Sequence, residues 1–238
     1  MRLMGPPPFS PAAMLWVITS YGASGGVKRN VMGLNMSEMA TRKAAYHHGD
    51  LREALIAAAT AEVEEKGHEA VSLSALARRL GVSQAAPYRH FPDRDALLSA
   101  VATQAFRTAG AELREAVGSR PTLGQIAHAY LAFGLGHPRL YGLMYGSRLL
   151  QRSSVGGDLY TAADANFDLT LEAVDPTLPD LTRRRFALKF WTSLHGIVTL
   201  AEHGLIPPKI RQISVAELID ELVHDTELAI AAAARANH

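Results

Sequence analysis

Gln84, Ala85, Ala86, Tyr88, Arg89 and His90 fall in one run, SQAAPYRHFPDR, with Ser83 before them and Arg94 after. Their side chains suit contact with nucleic acid. A glutamine amide pairs bidentately with adenine and an arginine guanidinium with guanine, while alanine touches a thymine methyl. Serine, tyrosine, histidine and arginine bond phosphate oxygens, which fixes position without reading sequence. Gln84, Ala85, Ala86 and Arg89 are therefore candidate base readers. Ser72, Ser83, Tyr88, His90 and Arg94 are candidate phosphate contacts. Small side chains at Ala85 and Ala86 let the backbone come close to base edges.

Such groups work only if local structure presents them together. Upstream, Leu73, Leu76, Ala77 and Leu80 recur at i, i+3, i+4 and i+7, one face of a helix, with Ser72 at its cap position. Gly81 permits the left-handed backbone that leaves a helix sharply. Val82 is placed to plug the corner, and Ser83 to cap a second helix, QAAPYRHF, over Gln84–Phe91. A helix, a tight glycine turn and a second short helix form the helix-turn-helix pattern, whose second helix enters the major groove. Pro87 falls in the first turn or just past it, where a missing N–H costs least, and should distort that turn.

The flanks complete a three-helix unit. Leu51, Leu55, Ile56, Ala59 and Val63 form the stripe of an earlier helix, with Asp50 as candidate N-cap and Gly67 as its stop. Glu62, Glu64 and Glu65 are expected on its water side. A long amphipathic helix follows Asp93. Composition breaks at GSRP, Gly118 to Pro121, and helices are then expected near 122–136, 138–150, 157–173, 179–204 and 214–235. Ser214 with Glu217 forms a capping box, and Val215, Leu218, Ile219, Leu222, Ala229 and Ile230 share one side of the last helix. Strand signals are nearly absent, so the expected fold is all-α. Three segments are expected: 1–44, rich in Gly, Pro and Ser and disordered; 45–117, the helix-turn-helix domain with its linking helix; and 118–238, a second helical domain.

Whole-chain properties exclude several alternatives. The 238 residues contain no cysteine, which removes disulfides and thiolate chemistry and suits a reducing cytoplasm. No run reaches the roughly 18 apolar residues of a membrane span, so no membrane partner is expected. AAMLWVITSYGASGG reads as part of an unstructured leader rather than an export signal, and Met36 offers a second start. Net charge is +1, so a basic surface must arise from placement: Arg78, Arg79, Arg89 and Arg94 stand against Asp93 alone. No nucleophile elbow, P-loop or dinucleotide fingerprint is present, and no cofactor is expected. His47, His48 and Asp50 lack a partner at i+3 or i+4 and read as a helix edge near phosphates, not a metal site. Arg183 to Arg185 read as a solvated face. His195 and Gly196, after Trp191, fit a helix contact in which Gly admits a neighbour, or a ligand donor. An all-α enzyme and a helical adaptor without DNA contact remain competing classes.

HHGDLREALIAAATAEVEEKG followed by SLSALARRLGVSQAAPYRHFPDRDALLSAV resembles the N-terminal DNA-binding domain of the TetR/AcrR family of transcriptional regulators. Within it, Tyr88, His90 and Arg94 match phosphate-gripping positions, with Arg94 where lysine is common. Gln84, Ala85, Ala86 and Arg89 match recognition-helix positions, and Pro87 departs from the common leucine. FWTSLHGIVTLAEHG, Phe190 to Gly204, resembles the Trp-His-Gly segment of one C-terminal subgroup. The resemblance implies a DNA-binding transcriptional regulator, a ligand-responsive repressor that binds a palindromic double-stranded operator as a homodimer and answers to a small-molecule effector. It implies a ligand pocket, for which Phe133, Tyr141, Met144, Tyr145, Phe167, Trp191 and His195 are candidates, and a dimer interface on the last two helices, for which Leu218, Ile219 and Leu222 are candidates. A dimer also follows from size, because one short helix reads too few bases and a two-fold pair reads a palindrome.

Overall fold

Helix α1 (His48–Lys66) buries Leu51, Leu55, Ile56, Ala59 and Val63, the stripe seen in the sequence. It appears in a computed structural model of the protein that describes residues 48–117, 120–207 and 212–236. The stretch 1–44 and His47 lie outside the described residues. Asp50 lies inside α1 rather than at its cap. Gly67, at φ +91°, takes the chain out of the helix through a conformation costly for any residue with a Cβ. A 3₁₀ turn (His68–Ala70) leads to α2 (Leu73–Arg79), which buries Leu73, Leu76 and Ala77. Gly81, at φ +68°, turns the corner, and Val82 packs against the core as expected.

Helix α3 (Arg94–Val117) starts where the Asp93 carboxylate accepts the Ala96 N–H at 2.8 Å. After the break at 118–121 come α4 (Leu123–Gly136), α5 (Pro138–Tyr141), a π-helical turn (Gly142–Gly146), α6 (Leu149–Arg152), α7 (Asp158–Ala173), α8 (Asp180–Glu202) and α9 (Val215–Ala236). Thr122 with Gln125 caps α4, and Ser214 with Glu217 caps α9. The single helix expected over 138–150 is interrupted. Gly142 and Gly146 lower helix propensity, and the wider turn between them closes with Ser147 N–H donating to Gly142 C=O at 3.0 Å. No strand occurs among the described residues, and the protein is all-α.

Two apolar clusters organise these helices. One joins α1, α2 and α3 to Leu140, Leu143, Met144, Leu149, Leu159 and Ala162. The other joins α4, α7, α8 and α9 around Leu131, Phe190, Leu194 and Ile219. Helix α3 lies along α7, where the Asn166 amide donates to Phe106 C=O at 2.8 Å and Arg114 forks onto Glu172 at 2.7 and 2.9 Å. Helices α4 and α8 cross at Gly134, where an added Cβ would clash with Val198 Cγ1.

Two expectations change on folding. In α9 only Val215, Ile219 and Ile230 are buried; Leu222 is half-buried, and Leu218 and Ala229 face solvent. Leu218 and Ile219 differ by about 100° around a helix, so a contact narrower than the stripe takes one and leaves the other. Of the three arginines, Arg183 turns inward and donates to Leu171 C=O at 3.2 Å, while Arg184 pairs with Asp180 and Arg185 is exposed.

Candidate functional site

Gln84 to Arg89 do not form the expected α-helix. They form a turn followed by a 3₁₀ turn, Pro87–Arg89. Proline supplies the reason. An α-helix would serve Ser83 C=O from the N–H of residue 87, which Pro87 lacks. Ala86 N–H takes that carbonyl instead at 3.0 Å, Arg89 N–H reaches Ala86 C=O at 3.2 Å, and the winding tightens. No side-chain cap opens this turn, and Ser72 faces Ser74 Oγ at 3.0 Å instead of capping α2.

The segment nevertheless presents the expected groups. Pro87 and Phe91 are buried and anchor it to the core. Gln84, Ala85, Tyr88 and Arg89 are exposed, and Ala86 and His90 partly so. Tyr88 is 53% exposed, which leaves its hydroxyl within reach of a partner. Arg78 is also exposed, whereas Arg79 pairs with Glu62 at 3.4 Å. Arg52 lies over the Phe91 ring at 5.4 Å, fixing α1 to the end of the segment.

Arg94 has an internal task that the sequence did not show. Its Nε donates to Val71 C=O at 3.0 Å, and a terminal nitrogen donates to His68 C=O. The start of α3 thereby holds the loop that enters α2. Arg94 also lines an open hollow with Ser72, Tyr88 and Asp93, so the candidate phosphate contacts Ser72, Tyr88 and Arg94 share one surface.

In the body, Trp191, His195 and Tyr141 stack as a column. The Trp191 and His195 centroids are 5.5 Å apart at 15°, and those of His195 and Tyr141 5.6 Å apart at 29°. Tyr145 packs edge-on against His195 at 5.0 Å, and Phe167 against Trp191 at 6.2 Å. Of the pocket candidates, Phe133 instead packs on His137, and Met144 is buried in the cluster shared with the head. The hydroxyls of Tyr130 and Tyr141 lie 2.9 and 2.6 Å from His195 Nδ1, and Tyr141 Oη lies 3.4 Å from Thr199 Oγ1. Sequence reading missed Tyr130 and Thr199, although Thr199 stands at i+4 from His195 and Tyr130 three residues before Phe133, both same-face spacings. Burial pushes the hydroxyls of Tyr130, Tyr141 and Tyr145 up and the His195 imidazole down, so the cluster is uncharged at neutral pH. A Cβ at Gly196 would meet nothing within 4 Å, so this glycine admits no neighbour among the described residues.

Comparison with known proteins identifies both halves. Residues 55–101 match bacterial regulatory proteins of the tetR family, and residues 123–226 match the tetracyclin repressor-like C-terminal domain. The chain belongs to the TetR family. Its structure is similar to that of a protein with unknown function from Rhodococcus sp. RHA1, at 32% identity and a TM-score of 0.60, over 77% of this chain and 97% of that one. A tetR-family transcriptional regulator from Streptomyces coelicolor shares the fold at 22% identity and a TM-score of 0.59, over 80% of this chain and 84% of that one. So does a TetR transcriptional regulator from Rhodococcus sp. RHA1, at 17% and 0.54, over 76% and 97%. No curated protein sequence matches the chain significantly. TetR-family proteins are DNA-binding transcriptional regulators rather than enzymes, which removes the enzyme alternative. Among the described residues no helix is long and apolar enough to cross a membrane.

Proposed function

We propose that this TetR-family protein is a ligand-responsive repressor of the cytoplasm that binds a palindromic operator as a homodimer. The observation that carries the reading is the exposure of Gln84, Ala85 and Arg89 on a turn anchored by buried Pro87 and Phe91. In this reading Gln84, Ala85, Ala86 and Arg89 meet base edges. Ser72, Ser83, Tyr88, His90 and the outward edge of Arg94, whose Nη1 lies 3.9 Å from Asp95 Oδ1, meet phosphates.

The dimer is supported by apolar side chains left outside the body. Leu181 and Leu188, seven residues apart on one face of α8, and Leu218 and Leu228 on α9 are all exposed. Ile219 is fully buried within its own chain and is withdrawn from the interface, while half-buried Leu222 stays at its margin. The uncharged cluster of Tyr130, Tyr141, Tyr145, Trp191 and His195, with Phe167 beside it, is the proposed seat of the effector. Trp191, His195 and Gly196 support reading the body as one of the Trp-His-Gly subgroup.

Selection of bound sequences from random duplexes tests the reading. The expected product is a two-fold symmetric site with half-sites spaced by about 10 bp or a multiple. Affinity for it should fall steeply with salt. Gln84→Ala and Arg89→Ala should each relax preference at one position, at a cost of about 1–3 kcal/mol. Recovery of no enriched sequence, or an unaltered preference in both variants, defeats direct readout by this surface.

A further inference from the structure

The corner between α4 and α5 reaches out of the body and holds the head. The Arg139 guanidinium donates to the backbone carbonyl of Glu64 at 3.0 Å and to that of Glu65, in the last turn of α1. The final carbonyls of a helix lack partners within it and carry the negative end of its dipole, so a permanent cation matches them. Beside it, His137 Nδ1 lies 2.7 Å from the Glu64 carboxylate. The backbone of His137 belongs to both helices of the corner. Its N–H donates to Phe133 C=O, and its C=O accepts Tyr141 N–H, each at 2.8 Å.

The same short helix reaches the body's polar cluster. Two residues after Arg139, Tyr141 Oη sits 2.6 Å from His195 Nδ1 and 3.4 Å from Thr199 Oγ1 on α8. Helix α5 is a single four-residue turn, so Arg139 and Tyr141 cannot shift independently. A displacement that parts Tyr141 from His195 pulls on the end of α1, and a motion of α1 pulls on Tyr141.

We propose that this corner is the latch coupling body to head, and that protonation of His137 sets how tightly it closes. Among the described residues, the groups facing His137 include Glu64 on α1, Glu112 on α3 and the Phe133 ring, centroid 5.3 Å away, and Arg139 bonds the Glu64 carbonyl beside it. The hydrogen bond to Glu64 holds the imidazole above its ordinary range, against the opposing pull of burial. Burial raises the Glu112 carboxyl, which His137 draws back down. The raised value belongs to the folded state. The latch is therefore fully closed below the ordinary histidine range and opens as pH rises through the raised value.

The link between head and body stands on these contacts; its effect on operator binding rests on the DNA-binding reading, and the test separates the two. His137 is titrated by NMR in the full chain and in Glu64→Gln. The midpoint should fall when the carboxylate is neutralised; an unmoved midpoint overturns the pairing. Hydrogen exchange of the last amides of α1, corrected for intrinsic rate, should be slower at pH 6 than at pH 8 in the wild type. The difference should vanish in Glu64→Gln, and Arg139→Met should exchange faster at both pH values. Equal protection in all three proteins overturns the latch. Operator affinity should change between pH 6 and 8 by at least about fivefold more in the wild type than in Glu64→Gln. Identical pH profiles overturn the coupling and leave DNA recognition intact. If the wild type binds no duplex, the proposed function fails, and titration with exchange alone decide the latch.

Discussion

Arg94 spends its guanidinium on the carbonyls of Val71 and His68, tying the start of α3 to the loop before α2. Arg94→Ala should lower stability by about 2 kcal/mol, as two charge-assisted hydrogen bonds are lost and two carbonyls are left to water. Arg94→Lys keeps the charge but not the fork, since an ammonium cannot serve both carbonyls in one plane. The lysine variant should therefore retain the salt dependence of DNA binding while melting below the wild type. A lysine variant as stable as the wild type would show that the fork is not what holds the loop. The sequence marked Arg94 as important but not its partners, because backbone carbonyls 23 and 26 residues upstream carry no side-chain signal. The same holds for Glu64, read as a solvated end of α1, whose partner His137 lies 73 residues away.

Gly134 shows how one residue sets the distance between two helices. An added Cβ would overlap Val198 Cγ1 and lie 3.5 Å from the Tyr141 ring. Gly134→Ala gains about 1 kcal/mol of helix propensity but overpacks the crossing at a cost of about 1–3 kcal/mol. A net loss in melting temperature is expected. Val198→Ala in the same chain should recover more than two independent changes allow, and simple additivity in a double-mutant cycle would show that α4 and α8 do not touch there. Elements were legible wherever their signal is local. The stripe of α1, the turn at Gly81 and the Ser214–Glu217 box all lie within a few residues of what they specify. A distortion at Pro87 was legible, but neither the 3₁₀ winding it takes at Pro87–Arg89 nor the π turn at Gly142–Gly146 was. Each is a choice between neighbouring hydrogen-bond registers that a hydrophobic period does not resolve.

At the scale of the whole molecule, the proposed dimer depends on the outer faces of α8 and α9. Leu188 is 52% exposed in the single chain, so Leu188→Glu should leave the fold and helicity intact. In a dimer it would bury an unpaired carboxylate, which is costly. The expected outcome is a monomer by light scattering that no longer holds a two-site operator, while a dimer of unchanged mass would move the interface elsewhere. The all-α architecture was legible in the sequence because strand signals are nearly absent and the segments after about residue 45 carry helical periods. The inward or outward direction of Leu218 and Ile219 was not, because both satisfy the same period. A last consequence follows from the apolar cluster in which α1, α2 and α3 share Leu140, Leu143, Met144, Leu149, Leu159 and Ala162. The DNA-binding head does not own its interior. Calorimetry of the full chain should record one endotherm, with the calorimetric enthalpy matching the van't Hoff value. The head cut away at Val117 should sediment as an expanded species, because its leucines would face water where the body had been.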